Sequence, residues 1–546
     1  MLPNGKIWGS YDKPPQVMFM GKPLKWSDQH KHLGVIFTKD LTFKAHVKEA
    51  LKKAKGTTIG LRNTIGKIFG VPPKAALWMH TAVGRAKLTH GCLVWHRVTE
   101  EPGICHDLWK FQKDALHTLG CFRHSTPGNG LEIITNTTPL PLFIKMKAGI
   151  SYLRTRGFEK HSDEEMNTLE PSYVGHRQAA RQYLWENQVD FTNTQFDDIK
   201  KQYIWDNLYK VDTNSYSPDN KNRGKEIIDT DYNIYTDGSK QSSGLSGAGL
   251  TVFKTQRETL PSGRVKVTQF NIHDASFHLE TTGIDQCEMY AIKQAALWIL
   301  QNQQTLNITS MAINSDSKSS LQTLNKNCTT KSLVKETKEK LNEAALNTNI
   351  KLRWVRGHDE NNRGNHRADS LANQGADPEE GSPVSDLPKI PFSFAKSKSK
   401  KALVGHWTFN WQNNIGTKWN FRQTKDWFPK PRPKFAYQLL KSDRITFSRK
   451  VHIITGHGPF NYHEDRCRPA DGPGPFCDRC FVPNTKQTSK HILQECEVFA
   501  HLRFLIFHDA FPQSMEKITD FMLTRFIKES NFKWFPYDDD PLEDPG

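Results

Sequence analysis

The chain has 546 residues, long for one hydrophobic core, and this length predicts about two to four domains. Hydrophobic residues make up 36%, enough for globular packing, but no apolar run reaches the roughly 18 residues of a membrane span. A formal net charge of +17 favours a polyanionic partner, with nucleic acid ahead of a membrane surface. Nine cysteines scattered over so long a chain argue against a disulfide framework and for a reducing compartment. The opening Met1-Leu2-Pro3-Asn4-Gly5-Lys6 lacks the apolar core of a signal peptide. An intracellular protein is expected, with cytoplasm and nucleus both open.

Residues 1–150 read as mainly helical. Phe43, Val47, Ala50, Leu51 and Ala54 recur at helical spacing, Leu61, Ile65 and Ile68 continue the pattern, and Val71-Pro72-Pro73 breaks it. Helix resumes through 75–86 and 109–119. Residues 151–229 are polar with little periodicity and read as a connector with a loose tail at 212–226. From Tyr232 the texture changes to a mixed α/β domain over 230–378. Ile234–Ser239, Gly247–Phe253 and Val265–Ile272 read as three strands of a meander, followed by a helix from about Gln286 to Leu300. Ile308–Asn314 is a fourth strand, two helical stretches lie within 317–347, Ile350–Val355 is a fifth strand, and a helix covers Asn365–Gln374. The expected fold is a five-stranded mixed sheet with helices. Residues 379–402, proline-bearing and closing on Lys396-Ser397-Lys398-Ser399-Lys400-Lys401, read as a linker. A basic and aromatic module follows over 403–535, then an acidic, disordered tail over 536–546.

The chemistry of the α/β domain gathers at strand ends and helix starts. Asp237 directly follows a strand, and Asp316 lies two residues past Asn314. Glu288 falls in the first turn of a helix whose apolar face is Ala291, Ile292, Ala295 and Ala296, and Asp369 precedes Leu371 and Ala372 in the last helix. Any one such acid is more often a turn or capping residue. Several converging on one point would repel one another and shift each other's pKa, a conflict that hard divalent cations remove. Two Mg²⁺ ions about 3.5–4 Å apart can activate a water and stabilise the leaving oxygen of a phosphodiester.

The motifs Tyr235-Thr236-Asp237-Gly238-Ser239, Cys287-Glu288-Met289-Tyr290-Ala291, Asn314-Ser315-Asp316-Ser317, Trp354-Val355-Arg356-Gly357-His358 and Gly364-Asn365-His366-Arg367-Ala368-Asp369 resemble, in order, those of the type 1 ribonuclease H family. The resemblance implies a ribonuclease H-like fold and an endonuclease acting on the RNA strand of RNA–DNA hybrids. Asp237, Glu288, Asp316 and Asp369 would hold two Mg²⁺ ions. His358 would assist proton transfer or product release, and backbone groups near Gly238 and Ser239 would contact the 2′-hydroxyl that marks RNA. His366 stands where the family commonly carries an acid. Glu280 competes for the glutamate role, but it precedes Thr281-Thr282-Gly283 rather than a buried helix face.

Cys477-x₂-Cys480-x₁₀-His491-x₄-Cys496 has the spacing of a tetrahedral, structural Zn²⁺ site, with Cys467 as a spare ligand. Upstream, Trp407, Trp411, Trp419 and Trp427 interleave with Lys418, Arg422, Lys425 and Lys430, a pattern suited to single-stranded RNA or DNA, or to a helix core. Ile454-Thr455-Gly456-His457-Gly458-Pro459-Phe460-Asn461-Tyr462 with this cluster resembles the C-terminal segment of jockey-type non-LTR retrotransposon polyproteins. His32–Phe37 and Leu41–His46 resemble the stretch after their polymerase palm. Tyr537-Asp538-Asp539-Asp540 imitates palm acids but sits in the tail, so no DNA synthesis is expected from this chain alone. No small-molecule cofactor or membrane partner is expected. The competing readings are a remnant that binds hybrid without cutting, and a zinc-centred module on an idle scaffold.

Overall fold

The computed structural model describes residues 16–534 apart from 26, 66–69, 157–178, 185, 187–195, 198–200, 205, 214–227, 262, 264, 281, 358–361, 385–386, 418–419, 470–473 and 481. The chain divides into two compact units, one formed by Phe191–Ser397 and the other by Met1–Asp190 with Lys398–Gly546.

The central unit is built on one sheet. Its elements are β1 (Lys210–Asp212), β2 (Tyr232–Lys240), β3 (Ser246–Thr259), β4 (Val265–His278), α1 (Ile284–Asn302), β5 (Ser310–Ser315), α2 (Lys318–Leu324), α3 (Ser332–Ala345), β6 (Asn349–Trp354), α4 (Arg363–Gly375) and β7 (Ser382–Pro383). The sheet order is β7-β4-β3-β2-β5-β6-β1, so among the described residues it has seven strands rather than the expected five. The two additions are edge strands of two and three residues, drawn from segments read as connector and linker. Segments this short carry no periodicity to read. β2, β3 and β4 form an antiparallel meander, while β5 and β6 run parallel to β2 and β1. Central β2 is buried from Tyr232 to Asp237, as befits a strand covered on both faces. Ile234, Ile292, Ile299, Ile313 and Leu352 are fully buried in the core between sheet and helices.

The expected linker is largely structured. A helix spans Phe392–Gln412 and contains the Lys/Ser run. Ala395, Ser399, Leu403, Trp407 and Trp411 recur every fourth residue and are all buried, while Lys396, Lys398, Lys400 and Lys401 are exposed. The serines and lysines disguised an amphipathic helix.

In the other unit, segments far apart in the chain share one core. Leu116, Leu119 and Ile134 pack in the same cluster as Trp411, Trp427, Phe447, Phe526 and Trp534. Arg444 donates to the carbonyls of Thr118 and Gly120, and the amide of Cys121 donates to Ser448 Oγ. Trp407, Trp411 and Trp427 are 3%, 6% and 1% exposed, in line with the helix-core alternative for the first two and a correction of the base-stacking reading for Trp427. Trp419 and the Tyr537–Asp540 run lie outside the described residues. No helix among the described residues is long and apolar enough to cross a membrane.

Candidate functional site

Asp237 sits inside β2, opposite Gly249 of β3, rather than after the strand. The β-branched and aromatic residues before it extend the strand past the position where turn chemistry alone would end it. Glu288 is the fifth residue of α1, at the start of its second turn. Gly238 allows that helix to approach: a Cβ there would lie 2.6 Å from the Glu288 backbone nitrogen. Asp316 follows β5, where its carbonyl accepts from Trp354 Nε1 at 3.0 Å. Parallel pairing of β5 with β2 aligns Ser315 with Thr236 and so brings the two aspartates to one end of the sheet.

Carboxylate oxygens of Asp237, Glu288 and Asp316 all lie within 4.8 Å of one another. Asp369, half-buried on α4, is not one of these three, but its side chain is hydrogen-bonded with that of Asp237. Asn373, one turn on, donates to Asp369 Oδ1 at 3.2 Å and accepts from Ser239 Oγ. It was not singled out from sequence, although its i+4 spacing from Asp369 was visible.

The electrostatics are those of acids forced together. Burial, then the charges of Asp316 and Asp369, push Asp237 up to about 8, against a donated hydrogen bond from the Gly238 amide. Burial, then Asp237 and Asp316, raise Glu288 well above the ordinary carboxylate range. Glu288 Oε2 is buried with no hydrogen-bond partner. Mutually repelling hard oxygens with a buried acceptor left over fit a divalent cation such as Mg²⁺.

Glu280 is outside this group; it is exposed in a turn at φ 51°, where its carbonyl accepts from Ser246. His366 is exposed on α4 and lines an open groove with Asp369 and Asn373. His358 lies outside the described residues.

In the other unit, Cys477, Cys480, His491 and Cys496 also place ligand atoms within 4.8 Å of one another. His491 opens a π-helical turn, His491–Glu495, whose i→i+5 bonding suits a four-residue gap, and the Cys496 amide donates to the His491 carbonyl. His491 Nε2 lies 3.5 Å from Cys480 Sγ, and Glu495 stands 3.6 Å from Nδ1 on its other side. A carboxylate behind a histidine is the usual orienting partner of a metal-bound imidazole. Burial, then Cys477 and Cys480, push the Cys496 thiol up to about 12, as expected of sulfurs crowded together. Cys467 is not in this cluster; it is exposed, with Sγ 3.6 Å from His463 Nε2.

Residues 229–377, which hold the three converging carboxylates, match the family model for RNase H. The match is to a domain within the chain and leaves the segments on either side of it unmatched. Among solved structures, the N-terminal RNase H domain of a Mycobacterium tuberculosis protein, solved as a fusion with maltose-binding protein, is 17% identical. That match covers 27% of this chain and 98% of the other, with a TM-score of 0.20. RNase H1 from the halophilic archaeon Halobacterium salinarum is 15% identical over 26% of this chain and 96% of the other, with a TM-score of 0.19. No curated protein matches the chain.

Proposed function

We propose that this protein hydrolyses the RNA strand of RNA–DNA hybrids by two-metal-ion catalysis. The observation that carries the reading is the convergence of buried Asp237 and Glu288 with half-buried Asp316 within a domain matching the RNase H family model. Asp237, Glu288, Asp316 and Asp369 would hold two Mg²⁺ ions, which, when bound, supply an activated water and charge neutralisation at the phosphate. The Gly238 amide orients Asp237, and Asn373 holds Asp369 toward the trio while restraining Ser239. Backbone groups at Gly238 and Ser239 contact the RNA strand, and His358 moves the proton or speeds product departure. Cys477, Cys480, His491 and Cys496 would hold one Zn²⁺, whose role with four protein ligands would be structural. Motif resemblance in the flanks supports a retrotransposon origin.

The test is cleavage of a labelled RNA–DNA hybrid in Mg²⁺. The wild-type chain is expected to cut the RNA strand. Asp237→Asn and Asp316→Asn should each lose more than about a hundredfold in rate, since each removes a shared ligand charge. Tight hybrid binding without cutting by the wild type, or undiminished cutting by Asp316→Asn, would refute the reading.

A further inference from the structure

The positive charge of this protein is not distributed evenly. Phe191–Ser397 contains 25 Lys and Arg against 25 Asp and Glu. The other unit contains 50 against 33, and therefore the whole excess of +17. Affinity for nucleic acid comes largely from neutralised phosphates, so the nuclease unit has no net charge with which to hold a polyanion.

Within the basic unit lies a cleft of about 600 Å³. Its walls come from the helix Pro102–His117, the helix Gly128–Ile134, the segment 420–424 and the stretch from Thr455 to Cys467. No aspartate or glutamate is among its lining residues. Trp109 and Tyr462 present half-buried rings there. Trp109 Nε1 donates to Asn129 Oδ1 at 2.9 Å, which fixes the indole, and Lys113 Nζ lies 5.6 Å from its ring centre. Lys486 and Arg466 flank the Tyr462 ring at 4.7 and 5.9 Å. Half-buried aromatic rings with mobile cations drawn over them are groups on which splayed bases stack once the cations turn to the phosphates.

The floor of the cleft is polar but uncharged. His457 and His463 pack with ring centres 4.8 Å apart. Burial, then the neighbouring positive groups, holds both imidazoles down to about 4, so they are neutral at working pH. Both rings line the cleft and leave its wall polar without adding a fixed charge. A paired duplex keeps its bases stacked inside and cannot offer them to such a cleft, whereas a single strand can.

We propose that this cleft binds single-stranded nucleic acid, with bases on Trp109 and Tyr462 and phosphates met by Lys113, Arg466 and Lys486. The site is separate from the carboxylate centre and does not depend on the nuclease reading.

The test is anisotropy of the full chain with a labelled single-stranded RNA, the same sequence as DNA, and the RNA–DNA duplex of that sequence. Single strands are not hybrid substrates, so binding is read whether or not the protein cuts. The wild type should prefer single strands to duplex, and the preference between RNA and DNA identifies which strand the site serves. Trp109→Ala should weaken single-strand binding by about tenfold or more, the worth of one stacked base. Arg466→Gln, at an exposed position, should flatten the slope of log affinity against log salt by about 0.7. Should Trp109→Ala lower the melting temperature, Tyr462→Ala and the salt slope of Arg466→Gln decide instead. Equal affinity for duplex and single strand with no loss in these variants, or no binding at low salt, overturns the proposal.

Discussion

Gly249 and Asn373 act on the carboxylate centre without belonging to it. A Cβ at Gly249 would lie 2.4 Å from the Ala372 nitrogen and 2.5 Å from the Ala368 oxygen, so β3 and α4 touch backbone to backbone. Gly249→Val should therefore destabilise the central unit by about 1–3 kcal/mol through overpacking, read as a lower thermal midpoint. An unchanged midpoint would show that α4 can shift freely. Asn373 joins Ser239 on β2 to Asp369 on α4. Asn373→Ala is expected to slow hybrid cleavage about 10–100-fold and to raise the Mg²⁺ concentration needed for half-maximal rate, with the melt unaltered. A normal Mg²⁺ dependence would leave Asn373 a bystander.

Among the elements, the turn His491–Glu495 has the most testable consequence. The Cys477 amide donates to the Thr485 carbonyl across the loop carrying the first two thiols, and the π-turn presents the other two ligands. Cys477 and Cys496 are also part of the core shared with Trp427 and Phe526. Loss of Zn²⁺ is thus expected to loosen that core and not just a surface loop. Chelation should lower the melting temperature on the order of 10 °C, and purified protein should contain one zinc per chain. A chelated protein that melts as before would remove the metal from this cluster. The helix Phe392–Gln412 makes a complementary point, since its buried stripe includes a serine and an alanine that hydropathy alone passes over.

At the scale of the whole molecule, buried histidines make the basic unit sensitive to acid. Burial holds His80 down to about 3, aided by Arg85, and lowers His117 and His452 to about 4. Their unfolded counterparts titrate near 6.5, so below that pH the unfolded chain takes up protons that the folded chain refuses. The resulting stability is fully present above about pH 6.5 and is lost as pH falls toward 4. Thermal melts should therefore drop progressively from pH 7 to 5, and a flat profile over that window would contradict these burial effects.

Much of the carboxylate centre was legible in the primary structure. Asp316 stands at a strand end that the period-two pattern reveals, while Asp237 lies inside its strand and Glu288 a turn into its helix. The set was therefore legible through the ordered ribonuclease H-like motifs, and the Cys/His cluster through its spacing. Those features are local, carried by neighbours within a turn or a strand. The tertiary structure alone set Asp369 against Asp237, gave Asn373 its two partners, and buried Trp407, Trp411 and Trp427. It also merged the N-terminal helices and the Cys/His module into one core, which then gathered the entire net charge and the aromatic cleft. Pattern within a segment records which face is apolar. Which distant face covers it depends on packing between segments hundreds of residues apart, and no local period encodes that choice.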